Sequence, residues 1–240
     1  MPPPDASELD HDDVVRREYA DPSRFAVRSA LWARRTGPKV FDVAFEALRE
    51  LAPRRVLEVG CGGGAFAARL QAAGMEVVAV DRSPQMVELA RTRGLDASLG
   101  DVRKLPFADG EFDVAVANFM LYHVPEVDTA LAELARVAPA LVAATNGYDQ
   151  LREMWELVGR DLSGRRKLFM RDSGEQLLRQ HYPAVRMIDL PATIEMSAAD
   201  MRHYIANSVA DRDLADLVPD FDGTRAVTAS TAVFVASNTA

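Results

Sequence analysis

The chain has 240 residues, nearly half of them apolar, and a formal net charge of −8. That length fits one domain with an elaborated lid, and the apolar share is ample for a core. The acidic balance excludes a nucleic-acid binder working through a broad basic face, and it would suit a cationic ligand.

A single cysteine, Cys61, cannot form an internal disulfide, so nothing points to an oxidising compartment. Residues 1–13, MPPPDASELDHDD, are polar, proline-rich and acidic. They match neither a signal peptide nor a transit peptide and read as a disordered tail. No apolar run approaches the ~20 residues that a membrane helix needs. A cytoplasmic protein, monomer or homodimer, with no nucleic-acid or membrane partner is expected.

Residues 14–35 read as a helix broken at Asp21-Pro22-Ser23, with Ser23 able to cap the second piece. Residues 38–51 read as a further helix that starts near Pro38. From residue 53 the pattern changes. RVLEV is a short strand, followed by a glycine cluster and the helix AFAARLQAAG. EVVAVD is the second strand. Ser83-Pro84 opens the helix PQMVELARTRG. A short strand near 96–100 leads to Gly100-Asp101. FDVAVANF (112–119) is a strand, 125–137 a helix and ALVAATN (140–146) a strand. Strands alternating with helices imply right-handed βαβ units on a parallel sheet with helices on both faces.

After Asn146 the alternation stops. The pattern predicts a helix over YDQLREMWELVGRDL, a polar connector SGRRKLFMRDSG, a helix EQLLRQHY, a strand AVRMIDL, a helix SAADMRHYIANSV capped by Ser197, and a final strand STAVFVAS.

The chemistry concentrates at Gly60-Cys61-Gly62-Gly63-Gly64-Ala65, between a strand and a helix, with Asp81 21 residues past Gly60. That spacing fits a nucleotide-binding turn with a ribose-binding acid, and alone it does not separate NAD from other adenosine ligands. Glu58 bears on the choice. A dinucleotide would set an anionic pyrophosphate on this turn, where a carboxylate repels it. A ligand carrying a sulfonium and an ammonium would be attracted.

EVGCGGG, then VVAVDRSPQMVELAR, then GDVRKLPFADGEFDVAVANFMLYHV resembles the class I S-adenosylmethionine-dependent methyltransferases of the small-molecule subgroup, over residues 54–146. The resemblance implies an α/β fold: a Rossmann-like, seven-stranded, mostly parallel sheet with helical lid elements, STAVFVAS inserting antiparallel beside the fifth strand. Residues 1–13 would be the tail, 14–50 the N-terminal lid helices, 51–146 the S-adenosylmethionine-binding core, and 147–240 helical cap insertions with the last two strands. The lid would combine 14–50, 147–170 and 192–226.

The resemblance also implies roles. Gly60 and Gly62 let the backbone approach the methionyl part and ribose. Glu58 holds the turn together and reaches the ammonium through water. Asp81 accepts from the ribose hydroxyls, Arg82 and Met86 line the adenine, and Asp101 with the Val102 backbone meets its amino group. Asn118 lies near the transferring methyl. Tyr19 and Arg28 fold over the cofactor, Arg28 pairing with the methionyl carboxylate in competition with Arg24, Arg34 and Arg35. The usual Leu-x-Pro-Gly-Gly turn before the fifth strand is cut to Val137-Ala138-Pro139-Ala140, which shortens that connection.

The implied activity is in-line methyl transfer to an O, N or C atom of a small molecule, by family habit a secondary metabolite. A cofactor-binding protein repurposed for a step such as cyclisation, an NAD(P) oxidoreductase and a methyltransferase for a macromolecule remain as alternatives. His123 is the candidate general base; lining the substrate or capping the next helix are its other readings. His181 and His203 read as surface or lid residues, Cys61 as a small residue in a tight turn, and Arg165-Arg166-Lys167 as a solvated loop that could instead meet an anionic substrate. No histidine has an i,i+4 partner, so no metal set is expected.

Overall fold

The computed structural model describes residues 30–208 and 211–238, with the side chains of residues 166 and 167 outside that description. The tail, most of the first predicted helix pair, and with them Tyr19, Ser23, Arg24 and Arg28 lie outside the described residues.

The first described long helix, α1 (Val40–Leu51), ends where Ala52 adopts a left-handed conformation. It feeds β1 (Arg55–Val59), α2 (Ala65–Ala72), β2 (Glu76–Asp81), α3 (Pro84–Arg91) and β3 (Asp96–Leu99). Ser83 caps α3 by accepting from the Met86 N–H, with Pro84 at the first helical position. Then come β4 (Val114–Asn118), α4 (Val127–Val137) and β5 (Ala140–Asn146). The shortened connection leaves two residues between α4 and β5.

The remaining elements are α5 (Arg152–Leu157), α6 (Gly174–Leu178), β6 (Ala184–Leu190), β7 (Thr193–Met196), α7 (Ala198–Ala206), β8 (Arg225–Thr228) and β9 (Thr231–Ser237). Seven strands form one sheet in the order β3-β2-β1-β4-β5-β9-β6. β1 to β5 pair in parallel, and β9 runs antiparallel to both β5 and β6. The expected sheet and the antiparallel last strand are both present.

Strand alternation divides the core. Val56, Val77, Ala79, Val114 and Val116 pack under α1, α2 and α3. Leu57, Val59, Val78, Val80 and Ala115 pack under α4 and α6, against Leu131, Leu134 and Phe169. Both faces are covered, which is why the strands read as continuous apolar runs. A third core, around Leu151, Met154, Trp155, Ile194, Met201 and Val227, packs together the segments expected to form the lid.

The lid departs from the sequence reading in three places. The helix expected over 148–162 is only α5, because Leu151 adopts φ 58° and Gly159 φ 69° at its ends. Tertiary bonds hold the preceding turn open: Gly147 N–H donates to Ser230 O at 2.9 Å and Leu151 N–H to Thr228 O at 2.9 Å. The polar connector carries a buried run, Leu168, Phe169 and Met170. The lid is also not purely helical, since β7 and β8 pair antiparallel, with Ile194 and Met196 buried and Thr193 and Glu195 exposed. Ser197 does cap α7, in a reciprocal box with Asp200.

Candidate functional site

In the order β3-β2-β1-β4, the chain leaves β1 for one side of the sheet and returns on the other, so the crevice between β1 and β4 lies at the topological switch point. Glu58 pairs in register with Ala79 on one side and Val116 on the other. Two residues on, Gly60 stands between the positions of Asp81 and Asn118. The register thus gathers the ends of three strands around the glycine turn.

Gly60 has φ +63°, and a Cβ there would lie 2.7 Å from Met120 Cβ and Cγ. Only glycine fits both the conformation and the space. Gly62 has φ +52°, and a Cβ there would meet nothing within 4 Å. Its backbone faces open space and its N–H points back to Asp81.

Asp81 Oδ2 accepts from the Gly62 N–H at 2.8 Å, and Oδ1 from the Ser83 N–H at 2.8 Å. Burial raises its pKa while these backbone donors oppose the rise. Each oxygen keeps a lone pair for a further donor.

Glu58 is 3% exposed. Burial, opposed by the Ala67 backbone N–H near the start of α2, pushes its pKa up to about 8. Glu58 is therefore mostly protonated at neutral pH. This corrects the simple charge argument as it concerns Glu58: that side chain is not a fixed anion beside the turn. Discrimination acts through coupling instead, since a cation favours ionisation of Glu58 and an anion opposes it.

Two sets of orphaned atoms point to a ligand. Glu58 Oε2 is buried without a hydrogen-bond partner, and so are both Oδ1 and Nδ2 of Asn118. Each would cost ~1–3 kcal/mol if left dry. Both side chains stand on the face of the sheet covered by α1 and α2. An amide donor, an amide acceptor, a carboxyl and the Asp81 carboxylate fit a ligand with an ammonium, a carboxylate and vicinal hydroxyls, as S-adenosylmethionine has.

The predicted adenine end is more mixed. Met86 is buried in the first turn of α3 and Arg82 is exposed. Val102 is buried in the second core. Asp101 is already engaged: Arg103 Nη2 donates to its Oδ2 at 2.6 Å, and the Arg103 N–H to its Oδ1 at 2.9 Å. That pairing holds its pKa below the usual carboxylate range.

After Asn118, Phe119 takes φ 55° and its N–H donates to Ala144 O at 2.8 Å. This left-handed step is uncommon for an aromatic residue. It carries Met120 over Gly60 and starts a 3-10 turn, Leu121–His123. His123 is half-buried on that turn, its ring 4.3 Å from the Tyr122 ring. The turn stands at the end of β4, beside Asn118.

Other candidates are placed away from this crevice. Arg34 pairs with Asp200 at 2.8 Å, and Arg35 donates to Leu190 O at 3.1 Å. Of the three arginines that competed with Arg28, Arg34 and Arg35 are thus engaged with residues 190–200. His181 Nε2 lies 2.8 Å from Asp128. Burial pushes the Cys61 thiol far up, which does not suit a nucleophile. Among the described residues no group of three or more His, Cys, Asp or Glu is placed to hold a metal ion, and no helix is long and apolar enough to cross a membrane.

Sequence reasoning missed the lid's buried polar groups. Arg165 is 9% exposed and donates to Gln150 O at 2.8 Å, so it is not part of a solvated loop. The neighbouring LFM run, too short for a periodicity, was the available signal.

Residues 57–139 match the model of a methyltransferase domain. A ubiquinone biosynthesis O-methyltransferase of Xanthomonas oryzae pv. oryzae is 33% identical over 129 residues, 48% of this chain and 54% of that protein. The chain spans about half the length of the curated relatives it matches. A structure described as an S-adenosylmethionine-dependent methyltransferase, possible histamine N-methyltransferase, from Thermotoga maritima superposes with TM-score 0.59 at 18% identity, covering 94% of this chain and 99% of that one. The cyclase SpnF superposes with TM-score 0.54 at 22% identity, covering 82% and 80%. These structural likenesses establish the fold.

Proposed function

We propose that the chain, whose residues 57–139 match the model of a methyltransferase domain, is a class I S-adenosylmethionine-dependent enzyme that transfers a methyl group to an O, N or C atom of a small molecule, in our reading a secondary metabolite in the cytoplasm. The observation that carries this is the convergence at the switch point of Asp81, fixed on the Gly62 N–H, with the unpartnered polar atoms of Glu58 and Asn118.

S-adenosylmethionine supplies an activated methyl on a sulfonium. The chain's task is to hold the acceptor in line and keep water out. Asp81 takes ribose hydroxyls on its free lone pairs. The Gly60–Gly62 backbone gives room for close approach. Asn118 offers a donor and an acceptor to the methionyl end, and Glu58 answers the positive charge by losing its proton. Arg82, Met86, Asp101 and the Val102 backbone surround the adenine, and Tyr19 and Arg28 close over the methionyl part. His123, on the turn after β4, takes the acceptor's proton where the acceptor carries one.

A screen of phenols, amines and carboxylates for S-adenosylhomocysteine formation tests the activity. Product with at least one class supports it. Cofactor binding with conversion of an acceptor but no S-adenosylhomocysteine would favour the repurposed reading, such as a cyclisation.

A further inference from the structure

The lid buries more polar chemistry than its own fold uses. Gln150 is 5% exposed, and neither Nε2 nor Oε1 of its amide has a hydrogen-bond partner. Arg165, on the 3-10 turn Ser163–Lys167, is 9% exposed. Its Nη1 donates to Gln150 O at 2.8 Å and reaches Tyr148 O at 3.5 Å, and its Nε has no partner. The Trp155 ring lies 5.8 Å from the guanidinium carbon, and its indole Nε1 is unpartnered too. These groups share one short stretch of chain wrapped around the lid core.

The charges do not balance. Arg160 and Asp211, with side chains 2% and 6% exposed, form a buried ion pair at 2.9 Å. Arg165 has carbonyl oxygens and no carboxylate at ion-pair distance among the described residues; it shares the field of Asp211 with Arg160, so two buried cations stand against one carboxylate. Burial pushes its pKa down to about 10, so it stays a cation at neutral pH. A buried cation with no ion-pair partner of its own is costly, and leaving the Gln150 amide dry adds to that cost. A clamp on the 148–150 turn would use only Nη1. It would explain neither the free Nε nor the Gln150 amide nor the indole N–H.

Besides Arg160 and Asp211, the groups that act electrostatically on Arg165 are Tyr204 on α7 and Tyr122, the residue before His123. The guanidinium is thus within electrostatic reach of Tyr122 on the turn after β4.

We propose that Arg165, with the Gln150 amide and the Trp155 indole N–H, forms an anion-recognition site in the lid that takes a monoanionic carboxylate. One uncompensated positive charge matches one negative charge, and a guanidinium fits the two oxygens of a carboxylate. Its assignment as the acceptor's carboxylate rests on the methyltransferase reading, while the anion site itself does not.

The test uses the full chain with and without saturating S-adenosylhomocysteine, following Trp155 emission during titration with benzoate, benzamide and phenyl phosphate. A Trp155→Phe variant identifies the signal. Benzoate is expected to bind about tenfold more tightly than benzamide, a preference that Arg165→Gln abolishes and Gln150→Leu weakens about threefold. Equal binding of benzoate and benzamide, as a water-filled polar pocket would give, overturns the proposal. Tighter binding of phenyl phosphate than benzoate overturns the monoanion assignment. If Arg165→Gln does not fold, the wild-type comparison and Gln150→Leu still decide. Calorimetry with S-adenosylhomocysteine on the same samples reads the cofactor site separately. Failure there with selective benzoate binding sinks the methyltransferase reading and leaves the anion site standing.

Discussion

Asp81, at the end of β2, spans the switch-point turn to the backbone of Gly62, 2.8 Å from its N–H. One carboxylate thereby fixes the glycine turn and presents its remaining lone pairs to the crevice. Asp81→Ala removes the brace and the acceptor together. S-adenosylhomocysteine should bind at least about tenfold more weakly by calorimetry, the loss of one to two charge-assisted hydrogen bonds. An unchanged dissociation constant would remove Asp81 from the site.

Glu58 predicts a dependence on pH. Its folded pKa is raised to about 8 by burial. Between the ordinary carboxylate range and about 8 the unfolded chain has lost this proton and the folded chain keeps it. Rising pH therefore lowers the folded state's stability across that window and has no further effect above it. Glu58→Gln lacks this slope. In urea unfolding the wild type should match the variant near pH 4.5 and lose ground to it by pH 8. A cationic ligand reverses the balance: S-adenosylmethionine binding should release a proton at pH 7, visible when calorimetry is repeated in buffers of different ionisation enthalpy. Parallel stability curves for the two proteins would contradict the account.

His123 stands on the 3-10 turn Leu121–His123 after β4. His123→Ala should lower turnover at least about tenfold, within the range typical of general acid–base catalysis. Its dissociation constant for S-adenosylhomocysteine should stay within threefold. Equal losses in both would make His123 a structural residue, and unchanged turnover would take it out of the mechanism.

Gly60→Ala meets two penalties, the positive φ and a 2.7 Å approach to Met120. Stability should fall by ~1–3 kcal/mol in denaturant unfolding. Adding Met120→Ala should recover only part, because the conformational strain remains.

In the lid, Asp211→Asn leaves Arg160 buried without its counter-charge. The expected cost is ~3–5 kcal/mol. A loss under 1 kcal/mol in urea unfolding would show that the pair is not buried in solution.

The core was legible because its signals are local and redundant. β1, β2, β4 and β5 each carry a run of buried apolar residues, the glycines lie between β1 and α2, and Ser83-Pro84 marks the start of α3. The acids Glu58 and Asp81 were legible as residue types at set positions. The protonation of Glu58 was not, since it depends on the helix and strands that bury it. In the lid, four-residue strands such as TIEM and RAVT are too short to establish a period of two. The 148–151 turn is imposed by bonds to residues 228 and 230, far along the chain. Arg165 looked solvated beside Arg166 and Lys167, and only packing against Trp155 and the Gln150 carbonyl buries it.

The central claim is that the crevice between β1 and β4 seats a cationic adenosine ligand. Calorimetric titration of the wild-type chain with S-adenosylhomocysteine and, separately, with NAD tests it most directly. The account predicts a saturable one-site isotherm for S-adenosylhomocysteine and no heat above dilution for NAD. Saturable binding of NAD with none of S-adenosylhomocysteine would contradict it.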